Sequence, residues 1–406
     1  MNPVQSPSLL TKVQMAPKDP ILGVTETYNA DKNPNKANLG VGVYSDDNGK
    51  VPVLECVRRA ERQIAEAAAP RAYLPIDGLA AYDSAVQGLV FGADHPAVKD
   101  KRIVTVQALG GTGGLRVGAD LLKRITPDAV VWISDPSWEN HQALFEAAGF
   151  TVKAYPYYDA ATHGVKFAEM ISHLQKLPAG SIVVLHACCH NPTGVDLAPD
   201  QWGTVLEAVR SRGLVPFLDI AYQGFAEGID ADASPVRQFA AAGGPVFVSS
   251  SFSKSLSLYG ERVGAFSLVA DSAEEAQRAL SQLKRLVRTN YSNPPTHGGK
   301  VATAVLTAPE LRTLWEQELG GMRNRIRDIR RQFVEKLAQK STKRDFGFVM
   351  RQRGMFSYSG LTKDQVTRLR EEFSVYAIDT GRICVAALNS RNIDYVVDAV
   401  AKALGR

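Results

Sequence analysis

Between residues 104 and 270 the chain alternates short β-branched and apolar runs with amphipathic stretches, and this restricts the fold more than any other feature of the sequence. Val104 to Leu109, Val130 to Ser134, Ile182 to Cys188, Leu214 to Ile220, Val246 to Ser250 and Val263 to Ala270 have the length and composition of strands. Helical segments such as Leu115 to Arg124, His141 to Ala148 and Gln201 to Arg212 lie between them, each ending at or near a Gly or Pro. Strands separated by helices mean a largely parallel sheet covered by helices, which is α/β architecture. Ligands of such sheets bind outside the carboxyl ends of the strands, so chemistry is expected just after these runs.

After about residue 308 the pattern changes to one long helix, with Trp315, Leu319, Met322, Ile326, Ile329, Phe333 and Leu337 at three- and four-residue steps along one buried face. Gly320-Gly321 in its middle predicts a bend or a crossing between domains, since each Gly costs about 1 kcal/mol relative to Ala. The tail reads strand, helix, strand, helix at Phe348 to Gln352, Lys363 to Phe373, Ile383 to Ala387 and Ile393 to Leu404. The expected organisation is a large domain at 52–321 and a smaller α/β domain built from both chain ends, 1–51 and 322–406, with 1–18 an extension. A length of 406 residues agrees with two or three units at ~100–200 residues each.

Composition excludes several classes. A hydrophobic fraction of 45% and a charged fraction of 22% rule out disordered and fibrous chains. The net charge of +5 is scattered rather than gathered in a stripe, which gives nucleic-acid binding little support. No run approaches the ~20 apolar residues of a membrane span. Met1 to Met15 lacks the apolar core of a signal peptide, and four unevenly spaced cysteines do not make a disulfide framework, so a reduced, cytoplasmic protein is expected.

Four segments carry candidate chemistry. Gly110-Gly111-Thr112-Gly113-Gly114 follows a strand and precedes a helix, where free N–H groups and the helix dipole favour a phosphate; the same glycines also fit a tight turn. It matches neither the dinucleotide nor the Walker pattern. Ser249-Ser250-Ser251-Phe252-Ser253-Lys254, with Arg262 eight residues on, offers an amine, hydroxyls and a guanidinium beyond a strand end. Such a lysine is either a Schiff-base former or a solvated surface residue. Asp219, ending an apolar strand with Tyr222 three residues on, either meets a buried cation, such as a protonated ring nitrogen, or caps the next turn. His186-Ala187-Cys188-Cys189-His190-Asn191-Pro192-Thr193-Gly194 invites a metal reading, but strand geometry would send Cys188 and Cys189 to opposite faces and no C-x-x-C occurs, so no metal is expected.

Together with Ser134-Asp135-Pro136-Ser137-Trp138-Glu139-Asn140-His141 and Tyr291-Ser292-Asn293-Pro294-Pro295, these segments resemble, in family order, the class I (fold-type I) pyridoxal-phosphate aminotransferases, specifically the aspartate and aromatic amino-acid branch. The resemblance runs from about Asp19 to the end. It implies pyridoxal 5'-phosphate as cofactor, Lys254 as Schiff-base lysine and general base, Asp219 on the ring nitrogen, and Tyr222 and Asn191 on the ring oxygen. Trp138 would stack on the ring, and Gly111, Thr112, Ser251, Ser253 and Arg262, joined by Tyr73 from a second subunit, would hold the phosphate. Arg382 would grip the substrate α-carboxylate, Arg288 would cross from the partner subunit to a side-chain carboxylate, and Gly42 would close over the substrate. A homodimer with shared active sites follows from the same resemblance.

Substrate choice is argued from departures. Ser45, Val51 and Ala72 replace more polar residues of strict aspartate enzymes, and Phe91-Gly92-Ala93-Asp94-His95-Pro96 and Tyr259-Gly260-Glu261-Arg262-Val263-Gly264 read like bacterial aromatic aminotransferases. Thr112 and Asn293 suit an aspartate enzyme as well. The expectation is ping-pong exchange between tyrosine, phenylalanine or aspartate and 2-oxoglutarate, with an aspartate aminotransferase of minor aromatic activity as the alternative. The paired arginines argue against β-decarboxylation or racemisation on the same cofactor, and the short extension cannot hold a DNA-binding helix-turn-helix. His141 and His190 either tune Asp219 or pack beside it.

Overall fold

The computed structural model describes residues 8–16, 19, 21–340 and 344–405; of the extension 1–18, residues 1–7, 17 and 18 lie outside the described residues. Seven strands in chain order, β1 (Ile103–Leu109), β2 (Val130–Asp135), β3 (Thr151–Pro156), β4 (Ile182–His186), β5 (Val215–Ile220), β6 (Val246–Ser251) and β7 (Val263–Val269), form one sheet. Their spatial order is β1-β7-β6-β5-β4-β2-β3. Only β7 runs antiparallel to its neighbours. Successive residues of a strand enter different cores: Phe217 and Val184 pack on one face, Leu218 and Leu185 on the other. Both faces are covered, so the inner strands are nearly continuous apolar runs and are legible as such. β3 escaped that reading because it is the sheet's edge, and its Thr-Val-Lys-Ala-Tyr-Pro sequence leaves Thr151, Lys153 and Ala154 exposed.

The glycine run is not a loop. It is the first turn of a helix, Gly110–Ile125, that lies against β6 and β7. Gly110 has φ of 68°, and a Cβ there would lie 2.5 Å from Arg262 Nη2; a Cβ at Gly114 would lie 2.7 Å from the Ala265 carbonyl oxygen. Close approach of helix to sheet, rather than loop flexibility, therefore explains these glycines. The long helix spans Pro309–Gln339 and buries all seven residues of the expected stripe. It passes through Gly320-Gly321 as one element, and a Cβ on Gly321 would touch nothing within 4 Å.

In the tail, Lys363–Phe373 and Ile393–Ala403 are helices, the first closed by a Thr362–Gln365 capping box. The strand expected at Phe348 to Gln352 is instead a 3-10 turn, Gly347–Arg351, opened by Asp345 Oδ1 accepting from the Gly347 N–H at 2.7 Å. A strand follows at Phe356–Tyr358, antiparallel to Arg382–Cys384; beyond Cys384 the chain turns into a 3-10 segment rather than continuing extended to Ala387. Ala37–Asn38 pairs in parallel with Val375–Tyr376, and Ala37 and Leu39 share a core with Phe333, Val366 and Val400. The two ends of the chain thus meet.

Candidate active site

Because β7 runs against its neighbours, its beginning meets the ends of the others at one edge of the sheet. Gly111 and Thr112 follow β1, Trp138 follows β2, Asn191 follows β4, Asp219 nearly ends β5, Ser251 ends β6, Lys254 comes just after it, and Arg262 immediately precedes β7. With Tyr222, Ser253, Gly42 and Arg382, all of these line one cavity of about 370 Å³. Tyr73 and Arg288 do not. Tyr73 is 92% exposed, and Arg288 lies on the surface with its guanidinium donating to Ser292 Oγ. Ser45, Val51 and Ala72 also lie outside the cavity lining.

The Lys254 amine belongs to a half-buried side chain on the cavity wall and sits 4.6 Å from the centroid of the Tyr222 ring. Burial lowers its pKa to about 8, opposed by the Asp219 charge and assisted by Arg262. Asp219 is itself buried, which pushes its pKa up, but a 3.0 Å hydrogen bond to His141 Nε2 and the charges of His141, His186 and Lys254 hold it below the ordinary value. Only Oδ2 is used in that bond. Oδ1 is buried with no partner among the described residues, an acceptor waiting for a donor.

His141 therefore acts on Asp219 directly, and Ser137 Oγ holds its other ring nitrogen at 3.0 Å. His190 does not reach the carboxylate: it bonds Ser134 and Thr193 and stacks on Tyr157 with centroids 4.0 Å apart. A third histidine, His186, lines the cavity, and burial lowers its pKa to about 3. His141, His186 and Asp219 have the spacing of a metal set, but the His141 bond already engages one Asp219 oxygen, and neither His186 ring nitrogen has a hydrogen-bond partner among the described residues.

Arg382 occupies the opposite end. It is 2% exposed, donates to Asn191 Oδ1 at 3.1 Å and to the Gly40 carbonyl at 2.6 Å, and lies 4.3 Å over the Phe356 ring. Its Nε has no partner among the described residues, so the fork keeps a donor for an incoming carboxylate. Phe356, Tyr259 and Glu139 line the cavity and were not assigned to it from sequence. Phe356 also bears on Gly42: a Cβ there would lie 2.5 Å from Phe356 Cζ, so the ring leaves no room for a side chain. No local pattern marks Phe356, because its place depends on the distant pairing with Arg382–Cys384.

The donor set fits pyridoxal phosphate. Lys254 offers a reactive amine, Asp219 Oδ1 an unpaired acceptor for a ring N–H, and Trp138 a ring face. The first turn of Gly110–Ile125, which has no side-chain cap, stands with Ser251, Ser253 and Arg262 as an anion cradle. The Cys188-Cys189 pair lies elsewhere and corrects the strand-based expectation: β4 ends at His186, and both thiols approach Asp232.

Comparison with known proteins agrees with this chemistry. The family model "Aminotransferase class I and II" matches residues 34–400. An aspartate aminotransferase of Pseudomonas aeruginosa is 62% identical over 98% of this chain and 100% of its own length. An aromatic-amino-acid aminotransferase of Escherichia coli is 50% identical over 97% of this chain and 99% of its own. Among solved structures, an aromatic-amino-acid aminotransferase from Burkholderia pseudomallei, covalently bound to pyridoxal phosphate, superposes with a TM-score of 0.96 at 63% identity, covering 98% of this chain and 100% of that one. The chain belongs to the class I and II aminotransferases: it is a pyridoxal-phosphate-dependent transaminase of the aspartate and aromatic amino-acid branch.

Proposed function

We propose that this transaminase serves both aromatic amino acids and aspartate, with 2-oxoglutarate as amino acceptor and a bias toward the aromatic substrates. The observation that carries the reading is the cavity's two ends: a corner where burial lowers the Lys254 amine to about 8 beside the Asp219 carboxylate, and a buried Arg382 whose Nε has no partner among the described residues. The cofactor, when bound, supplies a conjugated ring that takes up the electron pair released at the substrate Cα.

Lys254 would hold the cofactor and would supply the amine that moves the substrate Cα proton; a pKa of about 8 leaves a useful fraction as free amine near neutrality. Asp219 Oδ1 would keep a cofactor ring nitrogen protonated, and His141 orients that carboxylate. Tyr222 and Asn191 would bond the ring oxygen, Trp138 would stack on the ring, and Gly111, Thr112, Ser251, Ser253 and Arg262 would hold the phosphate. Arg382 binds the α-carboxylate, with Phe356 and Gly42 shaping the wall beside it.

Two further elements complete the reading. Tyr73 and Arg288, exposed in a single chain, are supplied in trans in a homodimer, Tyr73 to the phosphate and Arg288 to a side-chain carboxylate. Residues 52–321 form the large domain, and 1–51 with 322–406 the small one, whose closure excludes water. The protein acts in the cytoplasm; no helix among the described residues is long and apolar enough to cross a membrane.

Relatives of nearly equal identity carry aspartate and aromatic names, so overall similarity does not choose between the substrates. A predominantly aspartate-specific enzyme is the second reading, favoured by the Pseudomonas relative. A stopped-flow half-reaction of the holoenzyme with L-phenylalanine and with L-aspartate decides. Conversion by both, faster with phenylalanine at equal concentration, is expected; conversion by aspartate alone overturns the dual reading.

A further inference from the structure

Cys188 and Cys189 take no part in the transaminase chemistry, yet the fold brings them together. Cys189 adopts φ of 51° just beyond β4, and the two Sγ atoms and an Asp232 carboxylate oxygen lie within 4.8 Å of one another. Cys188 and Asp232, with Leu197 and Trp202, line a second cavity of about 400 Å³. Cys189 Sγ–H points to the Tyr222 carbonyl at 3.9 Å, and Asn191 follows two residues after Cys189.

The partners of this pair decide what it can bind. Both oxygens of Asp232 already accept backbone N–H groups, from Gly224 and Ala226 on one and from Glu227 and Gly228 on the other, at 2.8 to 3.3 Å. Asp196, also on the cavity wall, accepts from the Cys189 and His190 N–H groups at 2.8 and 2.7 Å. The carboxylates are therefore committed to the loops. Burial and the Asp196 and Asp232 charges push the Cys189 thiol up to about 11 against a hydrogen bond with Cys188, and that hydrogen bond together with burial raises Cys188 well above its ordinary value, so both sulfurs are protonated at neutral pH. A divalent cation would have to strip two such protons without a free carboxylate to help. A neutral, soft centre that exchanges its own hydroxyls for sulfur needs no preformed thiolate and matches two adjacent S–H groups.

We propose that Cys188 and Cys189 form a bidentate capture site for a trivalent, thiophilic centre of the monosubstituted arsenical class, and that capture there inhibits the enzyme. With an arsonous acid, two As–O bonds break and two As–S bonds form. The two thiol protons leave with the hydroxyls as two waters, and no atom changes oxidation state. Capture removes the Cys189 donor from the Tyr222 carbonyl and pulls on the turn leading to Asn191. Inhibition thus reaches the cofactor site through both loops, without occupation of that site.

The test uses the holoenzyme and phenylarsine oxide, followed by intact mass, peptide mapping and turnover. One phenylarsenic group per chain is expected on the peptide carrying Cys188 and Cys189. It should survive excess 2-mercaptoethanol and be removed by dimercaprol, with most of the turnover lost on capture and regained on removal. Cys188→Ala and Cys189→Ala should each lose the monothiol-resistant adduct. The proposal is overturned by no adduct, by one that the monothiol strips, by one that persists in both variants, or by a stable adduct that leaves turnover unchanged. The wild-type readouts decide even where a variant does not fold.

Discussion

The two ends of the catalytic cavity are built differently. At one end Lys254, Asp219, Ser251 and Arg262 stand within three residues of the ends of central strands, braced by His141 and by a helix pressed onto the sheet. At the other, Arg382 begins a three-residue strand, and its neighbours Gly42 and Phe356 come from remote parts of the chain, one of them a loop. The sheet end has seven strands to hold it; the arginine end depends on a two-stranded pairing and side-chain packing. Bond-breaking needs fixed groups, whereas substrate recognition tolerates an element that adjusts on binding. Substitutions at the sheet end should therefore change the rate with every substrate, and those at the arginine end should change chiefly affinity.

The largest effect is expected at Lys254. Lys254→Ala should abolish the cofactor's lysine-linked absorption band and lower kcat/KM by at least ~10⁴-fold, since attachment and proton transfer are lost together; an active variant with the band intact would break the comparison at its root. The same residue predicts a pH effect in the cofactor-free protein. Its pKa falls from 10.5 unfolded to about 8 folded, so between these values the unfolded chain binds more protons and stability rises with pH. The stability advantage of Lys254→Met over the wild type, up to about 3 kcal/mol below pH 8, should shrink as pH approaches 10.5 in denaturant titrations.

Asp219→Asn comes next. It keeps the shape but removes the charge facing the ring nitrogen, and the half-reaction rate should fall by about 10²–10³-fold for phenylalanine and aspartate alike. A change confined to KM would place Asp219 with the recognition end instead. Arg382→Lys should weaken both substrates through KM by about 3 kcal/mol, roughly 10²-fold, because an ammonium cannot keep the Asn191 and Gly40 bonds while presenting a second donor. Smallest is Gly42→Ala, where the new methyl must displace the Phe356 ring. A cost of about 1–3 kcal/mol in thermal or denaturant unfolding is expected, with the cofactor band unchanged.

The same contrast governs how much could be read in advance. Every inner strand was legible, because burial on both faces makes each a continuous apolar run. The residues after those strands were legible too, since their neighbours in sequence are their neighbours in space. β3 was missed because one edge faces water, and Phe348 to Gln352 was misread because an apolar pair looks alike in a strand and in a buried 3-10 turn. Phe356 was missed for a different reason: its ring matters only through Gly42 and Arg382, which are far away in the chain. The Cys188-Cys189 pair shows the converse error, in which a strand was extended two residues too far and its alternation imposed on a bend.

By itself, then, the sequence determined the α/β class, the strands of the inner sheet and the reactive groups at their ends. These rest on local hydrophobic pattern and on short motifs whose parts are joined by a few bonds. Only the tertiary structure decided that β7 reverses direction and so brings Arg262 to the same edge as Lys254, and that His141 rather than His190 holds Asp219. It also decided that Gly42 answers to Phe356 and that two thiols meet behind the active-site loops. Each of these is a contact between segments with no shared local pattern, set by how the whole core packs.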